Sequence, residues 1–106
     1  MTYTVIISTA AEADLNAIFD YIAERAGDRI ARGFVDRIEA YLLGFADMPE
    51  RGTRRDDLRP GLRTVGWRRR ATILFEVDRT RRRVVIHGVY YAGRSFEDAT
   101  ENDFGQ

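Results

Sequence analysis

After a short alternating opening, apolar residues recur every three or four positions as far as Phe45, and from Leu62 onward they alternate with polar ones. A helical part therefore precedes a strand-rich part. Thr2 to Ile7 predicts a first strand, with Tyr3, Val5 and Ile7 facing one way. Thr9 and Glu12 have capping-box spacing, in which the hydroxyl accepts a backbone N–H and the carboxylate reaches back, so a helix is expected to begin there. Its apolar stripe is Ala11, Leu15, Ile18, Phe19 and Ile22. Gly27 is expected to end this helix in a left-handed conformation and Asp28 to cap the next one. The second stripe is Ile30, Phe34, Ile38, Tyr41, Leu42 and Phe45, and the helix is expected to stop before Pro49, whose ring disfavours helical geometry in the preceding residue.

Two amphipathic helices joined by so short a turn lie antiparallel, each with an apolar stripe to bury. Glu50 to Gly61 is polar and turn-rich and reads as a loop. Strands are predicted at Leu62 to Val65, Ala71 to Val77 and Val84 to Tyr91. The tight connection from Asp78 to Arg81 makes the last two an antiparallel hairpin. From Arg94 onward a short helix is expected, capped by Ser95 with Glu97 and Asp98 near its start. The β-α-α-β-β-β order predicts an α+β fold, an antiparallel helical hairpin packed on one face of a mainly antiparallel sheet. The other sheet face is expected to carry many of the arginines and to serve as a partner surface.

Charge sharpens this picture. Of the 17 arginines, 13 fall between Arg51 and Arg94, against only Asp56, Asp57, Glu76 and Asp78. That segment is +9, the part before it −5 and the part after it −4, so a formal net charge of zero hides one strongly cationic region. Such a region favours polyanionic or acidic partners. At 106 residues the chain reads as a single domain spanning 1–106. The apolar runs are too short to span a membrane, and the N-terminus lacks export features, which points to the cytoplasm. With no cysteine and a lone histidine, neither a structural metal nor a cofactor is expected.

The succession Ala11-Glu-Ala-Asp-Leu15, Asp20-Tyr-Ile-Ala-Glu24, Phe34-Val-Asp-Arg-Ile-Glu39, Pro49-Glu-Arg-Gly52, Asp57-Leu-Arg-Pro-Gly-Leu-Arg63, Arg69 to Asp78 and Val89-Tyr-Tyr-Ala-Gly-Arg94 resembles the RelE/ParE superfamily of bacterial type II toxins. The likeness runs through nearly the whole chain. It implies a small toxin neutralised by an antitoxin whose C-terminal segment wraps it. RelE-like members cut messenger RNA in the ribosome, whereas ParE-like members poison DNA gyrase without nuclease chemistry.

Cleavage by a ribose hydroxyl needs a base, an acid and cations for the phosphorane. His87, Tyr90, Tyr91 and Arg94 are the candidates for such a role, with Arg63 and Arg69 able to hold phosphate. The terminal pattern of RelE-like nucleases, basic residues in and after the last strand followed by a tyrosine, is incomplete here, and Glu97, Asp98, Glu101 and Asp103 would repel RNA. His87, placed by alternation on one face with Val85 and Val89, reads as a structural histidine ahead of a catalytic one. Tyr90 and Tyr91 point to opposite faces, so at least one belongs to the core.

The leading expectation is a ParE-like gyrase inhibitor with a ParD-like or similar antitoxin. Its partner-binding residues are expected to be Trp67, Arg68, Arg69, Arg70, Leu74 and Arg83, with antitoxin acids opposite the arginines. The alternatives are a RelE-like ribosome-dependent endoribonuclease acting on mRNA and a nonspecific nucleic-acid-binding module using Arg54 to Arg83.

Overall fold

The computed structural model describes residues 2–91. Arg94 and the helix expected after it lie outside them. In chain order the elements are β1 (Thr4–Ile7), α1 (Thr9–Ala26), α2 (Asp28–Leu43), a 3-10 turn (Gly44–Ala46), β2 (Thr53–Arg54), β3 (Leu62–Trp67), β4 (Ala71–Asp78) and β5 (Arg83–Tyr91). The five strands form one sheet in the order β1-β5-β4-β3-β2. β1 runs parallel to β5 and every other pairing is antiparallel. The fold is α+β, with the helical pair on one face of a mostly antiparallel sheet, as the residue pattern predicts.

The helix ends differ from expectation by a residue. Ser8, not Thr9, caps α1: its backbone is extended, and its Oγ accepts the Ala11 N–H at 3.1 Å. Gly27 has φ 94° and ψ 161° and is the single joint between the helices, so Asp28 stands inside the first turn of α2 instead of capping it. There its carboxylate still faces the positive end of the helix. The apolar stripe of α2 is also rotated. Ala31, Val35, Ile38 and Leu42 are buried, whereas Ile30 is 57% exposed. Both stripes pass through Ile38. The smaller side chains fill the space against the sheet, and the bulkier Phe34 and Tyr41 flank the core half-buried.

From α1, Ala11, Leu15, Ile18 and Ile22 meet Trp67, Ala71, Ile73, Phe75, Val84, Ile86 and Val89 of the sheet in the same core. Phe45, on the 3-10 turn, is fully buried with its ring edge-on to Phe75 at 4.7 Å. Within the expected loop, β2 pairs Thr53 with Thr64 and Arg54 with Arg63. Gly52 permits this approach: at φ 73°, a Cβ there would lie 2.0 Å from the Thr64 carbonyl oxygen.

One irregularity decides which side chains face which way. The β4–β5 register runs from Asp78↔Arg83 to Phe75↔Ile86 and resumes at Leu74↔Gly88, which leaves His87 as a surplus residue. A β-bulge of this kind reverses the alternation along the strand that carries it. Val84 and Ile86 face the helices before it, and Val89 and Tyr91 face them after it. His87 and Val89 therefore do not share a face, contrary to a regular alternation. Asp14 of α1 secures the junction, because its Oδ2 accepts the Val89 N–H at 2.9 Å.

Candidate partner-binding surfaces

The sheet face away from the helices is not lined with arginines. Its centre holds a small apolar cluster of Leu62, Leu74 and Tyr90. Tyr90 folds across Gly88, where a Cβ would lie 2.7 Å from the tyrosine oxygen. Arg63 reaches away from this face, donating from Nε to the Arg51 carbonyl at 3.0 Å and from a terminal nitrogen to that of Glu50. Most other arginines of the cationic segment lie in the connections between strands.

Beside the apolar cluster, three charged or titratable groups converge. Arg59, from the β2–β3 connection, donates to Glu76 Oε1 at 2.9 Å, and His87 Nε2 lies 3.1 Å from the same oxygen. A ring nitrogen facing a carboxylate carries the proton, so His87 donates there. Partial burial pushes the Glu76 carboxyl up, but the hydrogen bonds from His87 and Arg59 outweigh it and hold the group below its ordinary value. The cluster borders a hollow of about 440 Å³ lined by Ser8, Ala10, Leu58, Leu62 and Leu74. Sequence reasoning missed Glu76 and Arg59. The alternation of β4 puts Glu76 on this face, but only the bulge aligns it with His87.

The candidate residues scatter. His87 and Tyr90 lie on the open face, whereas Tyr91 packs on the helix side against Phe34 and Tyr21, at ring separations of 5.4 and 5.7 Å. Trp67 and Leu74 are buried on opposite faces, Trp67 against Phe34 in the main core and Leu74 in the small cluster. They do not form one exposed patch with the arginines. Arg83 approaches Asp78 at 3.8 Å, and its Nε is buried without a hydrogen-bond partner among the described residues.

Several arginines of the cationic segment pair with carboxylates. Arg54 pairs with Asp56 at 2.8 Å, Arg55 with Asp57 at 2.7 Å and Arg81 with Asp78 at 3.2 Å, while Arg79 pairs with Glu50. The Gly61 N–H and then Arg54 lower the Asp56 pKa, Arg55 lowers that of Asp57, and the Arg81 N–H lowers that of Asp78. Arg51 is structural: it donates to the carbonyls of Met48 and Gly44, both at 2.9 Å, and covers the rings of Tyr41 and Phe45.

The β3–β4 hairpin tip is different. Arg68, Arg69 and Arg70 are exposed and have no carboxylate within ion-pair distance among the described residues. The Arg70 N–H donates to the Trp67 carbonyl at 2.9 Å, and Arg68 and Arg69 between them have φ 51° and 57°. This is the backbone of a type I′ turn. Among the described residues, no group of three or more His, Asp or Glu side chains could hold a metal ion, and no helix is long and apolar enough to cross a membrane.

Residues 5–96 match the family described as the ParE toxin of the type II toxin-antitoxin system parDE. The chain belongs to the ParE toxin family. Toxin ParE3 of Caulobacter vibrioides is 37% identical over 60 residues, 57% of this chain and 60% of that protein, so the match spans less than two thirds of that relative. Among solved structures, the chromosomal ParDE system of P. aeruginosa aligns with a TM-score of 0.73 at 23% identity, covering 86% of this chain and 97% of that one. A doubly substituted mutant of the E. coli toxin RelE in the free state aligns at 0.63 and 14% identity, covering 95% and 97%. The RelBE2 toxin-antitoxin complex of Mycobacterium tuberculosis gives 0.58 at 21% identity, covering 87% and 100%. These structures share the fold of this ParE family member.

Proposed function

We propose that this chain is the toxin of a type II toxin-antitoxin pair, that it inhibits DNA gyrase in the cytoplasm by protein–protein contact, and that a ParD-like antitoxin holds it inactive. Family membership supports the toxin role. The observation that favours inhibition over nuclease chemistry is the separation of Tyr91 from His87 and Tyr90, which share the open face. Tyr91 is packed on the helix side of the sheet, and His87 on the other side is engaged by Glu76. General acid–base chemistry needs its groups around one reacting atom. The antitoxin has a place to add a strand, since β2 pairs only with Arg63 and Thr64 and leaves the β3 edge from Val65 to Trp67 without a neighbouring strand among the described residues. Purified gyrase should lose supercoiling activity when the chain is added and recover it with the antitoxin. Undiminished supercoiling at saturating chain would exclude the reading.

A ribosome-dependent endoribonuclease is the second reading, because the His87–Glu76 pair with Arg59 beside it has the form of a proton-transfer group next to a cation. It requires that His87→Ala abolish transcript cleavage on translating ribosomes. Primer extension that finds no cleavage by the unaltered chain would remove it.

A further inference from the structure

β5 ends beside the turn that joins β3 to β4. Tyr91 pairs with Ala71 and Ala71 with Trp67, so the chain passes beyond the described residues within two strand spacings, about 10 Å, of Arg68, Arg69 and Arg70. Those three side chains are exposed, with no carboxylate within ion-pair distance among the described residues. The sequence after Tyr91 is of opposite sign. From Ser95 to Gln106 it holds Glu97, Asp98, Glu101 and Asp103 and no lysine or arginine. A helix beginning at Ser95, as the residue pattern predicts, carries Glu97, Asp98 and Glu101 on one face, at spacings of three and four.

We propose that the acidic segment from Ser95 onward docks on the arginines of the β3–β4 turn and covers them within the same chain. Reach selects this site among the cationic ones. The stretch from Tyr91 to Glu97 spans about 13 Å as a flexible chain, enough to bring Glu97 and Asp98 to the turn. Arg82 precedes the opposite end of β5, a strand of 9 residues and so about 30 Å long. Arg51 and Arg63 lie on the helix-facing side of the sheet and spend their donors on main-chain carbonyls. A short tether sets an effective concentration in the millimolar range, so contacts too weak to join separate molecules become populated. Exposed ion pairs are individually weak and screened by salt, which makes this a cover that can be displaced and not a lock. An acidic partner that reaches for Arg68, Arg69 and Arg70 has to displace it first. The contact is internal and requires neither gyrase nor an antitoxin, so it stands or falls separately from the function proposed above.

The chain has no cysteine, so Thr100→Cys gives a single attachment point for a nitroxide, and the broadening of backbone amide signals reports where the label sits. At low salt, broadening from Trp67 to Ala71 should be about threefold or more that seen when Glu97→Gln, Asp98→Asn, Glu101→Gln and Asp103→Asn are added, since the added changes keep the tether and remove the charge. None of the four replaces a residue of the described fold. In about 1 M salt, where the screening length falls to about 3 Å, the two chains should match. The variant Arg68→Asn/Arg69→Gly/Arg70→Gln supplies residues that a type I′ turn accepts and should remove the excess in the same way. Equal broadening with the charged and the neutralised segment would overturn the proposal. So would an excess that survives in the turn variant, or one centred on Arg81 to Arg83 at the opposite hairpin end.

Discussion

Arginine is an unfavourable occupant of a left-handed turn position, and the tip of β3–β4 holds two in succession. Arg68→Asn with Arg69→Gly should therefore raise unfolding free energy by about 1 kcal/mol, measured as a higher urea midpoint. A lower midpoint would mean that the arginine side chains stabilise the turn. Trp67, one residue earlier, behaves oppositely. Its side chain is buried against Phe34, so Trp67→Ala should cost about 3–5 kcal/mol, and any binding loss in that variant would follow from lost fold. Glu76 gives a pH signature. A carboxyl whose folded pKa lies below its unfolded value contributes stability above the unfolded value and loses it as pH falls through the folded one. With an ordinary value of 4.5 and a downward shift, the advantage of the native chain over Glu76→Gln should hold at neutral pH and shrink progressively below about pH 4.5. Parallel urea titrations from neutral to acidic pH will measure it, and a constant difference would contradict the assignment.

At the scale of elements, the junction between α1 and β5 carries more than its size suggests. Asp14 supplies an acceptor to the Val89 N–H just past the bulge. Asp14→Ala should cost about 1–3 kcal/mol by leaving that donor unpaired, and it should speed hydrogen exchange at the Val89 amide ahead of its strand neighbours. Gly52→Ala should be as damaging, since the new methyl would meet the Thr64 carbonyl oxygen at a positive φ. The order of strands and helices was legible in the residue pattern because periods of two and of three to four survive any tertiary arrangement. The stripe of α1 was legible for the same reason. The α2 stripe was not: rows through Ile30 and through Ala31 both include Ile38, and only contact with the sheet selects between them. β2 was hidden because two residues hold no period, and the bulge because a surplus residue in one strand is defined by its partner. The meeting of Arg59, Glu76 and His87 was hidden with it.

For the molecule as a whole, an uneven charge along the sequence became an uneven charge in space of a different kind. The segment from Arg51 to Arg83 is strongly basic, yet ion pairs within it and with Glu50 tie down part of that charge, while the exposed turn at Arg68 to Arg70 has no carboxylate within ion-pair distance among the described residues. Exposed ion pairs of this sort contribute little stability each, so their chief effect is to restrict where a partner finds positive charge. If the chain acts by gripping gyrase, His87→Ala with Glu76→Gln should leave supercoiling inhibition within about twofold of the native chain, a difference of under about 0.5 kcal/mol. Loss of inhibition in a folded double variant would locate the gyrase contact on the open face. The surplus residue in the last strand also constrains how this chain can vary over time. If His87 were kept but paired in regular alternation, Val89 and Tyr91 would swing out to water and Tyr90 would turn in toward the helices. A one-codon deletion of His87 itself would leave every remaining pair in register and on its face, at the loss of the ring beside Glu76, whereas deletion of Val89 or Tyr90 would not.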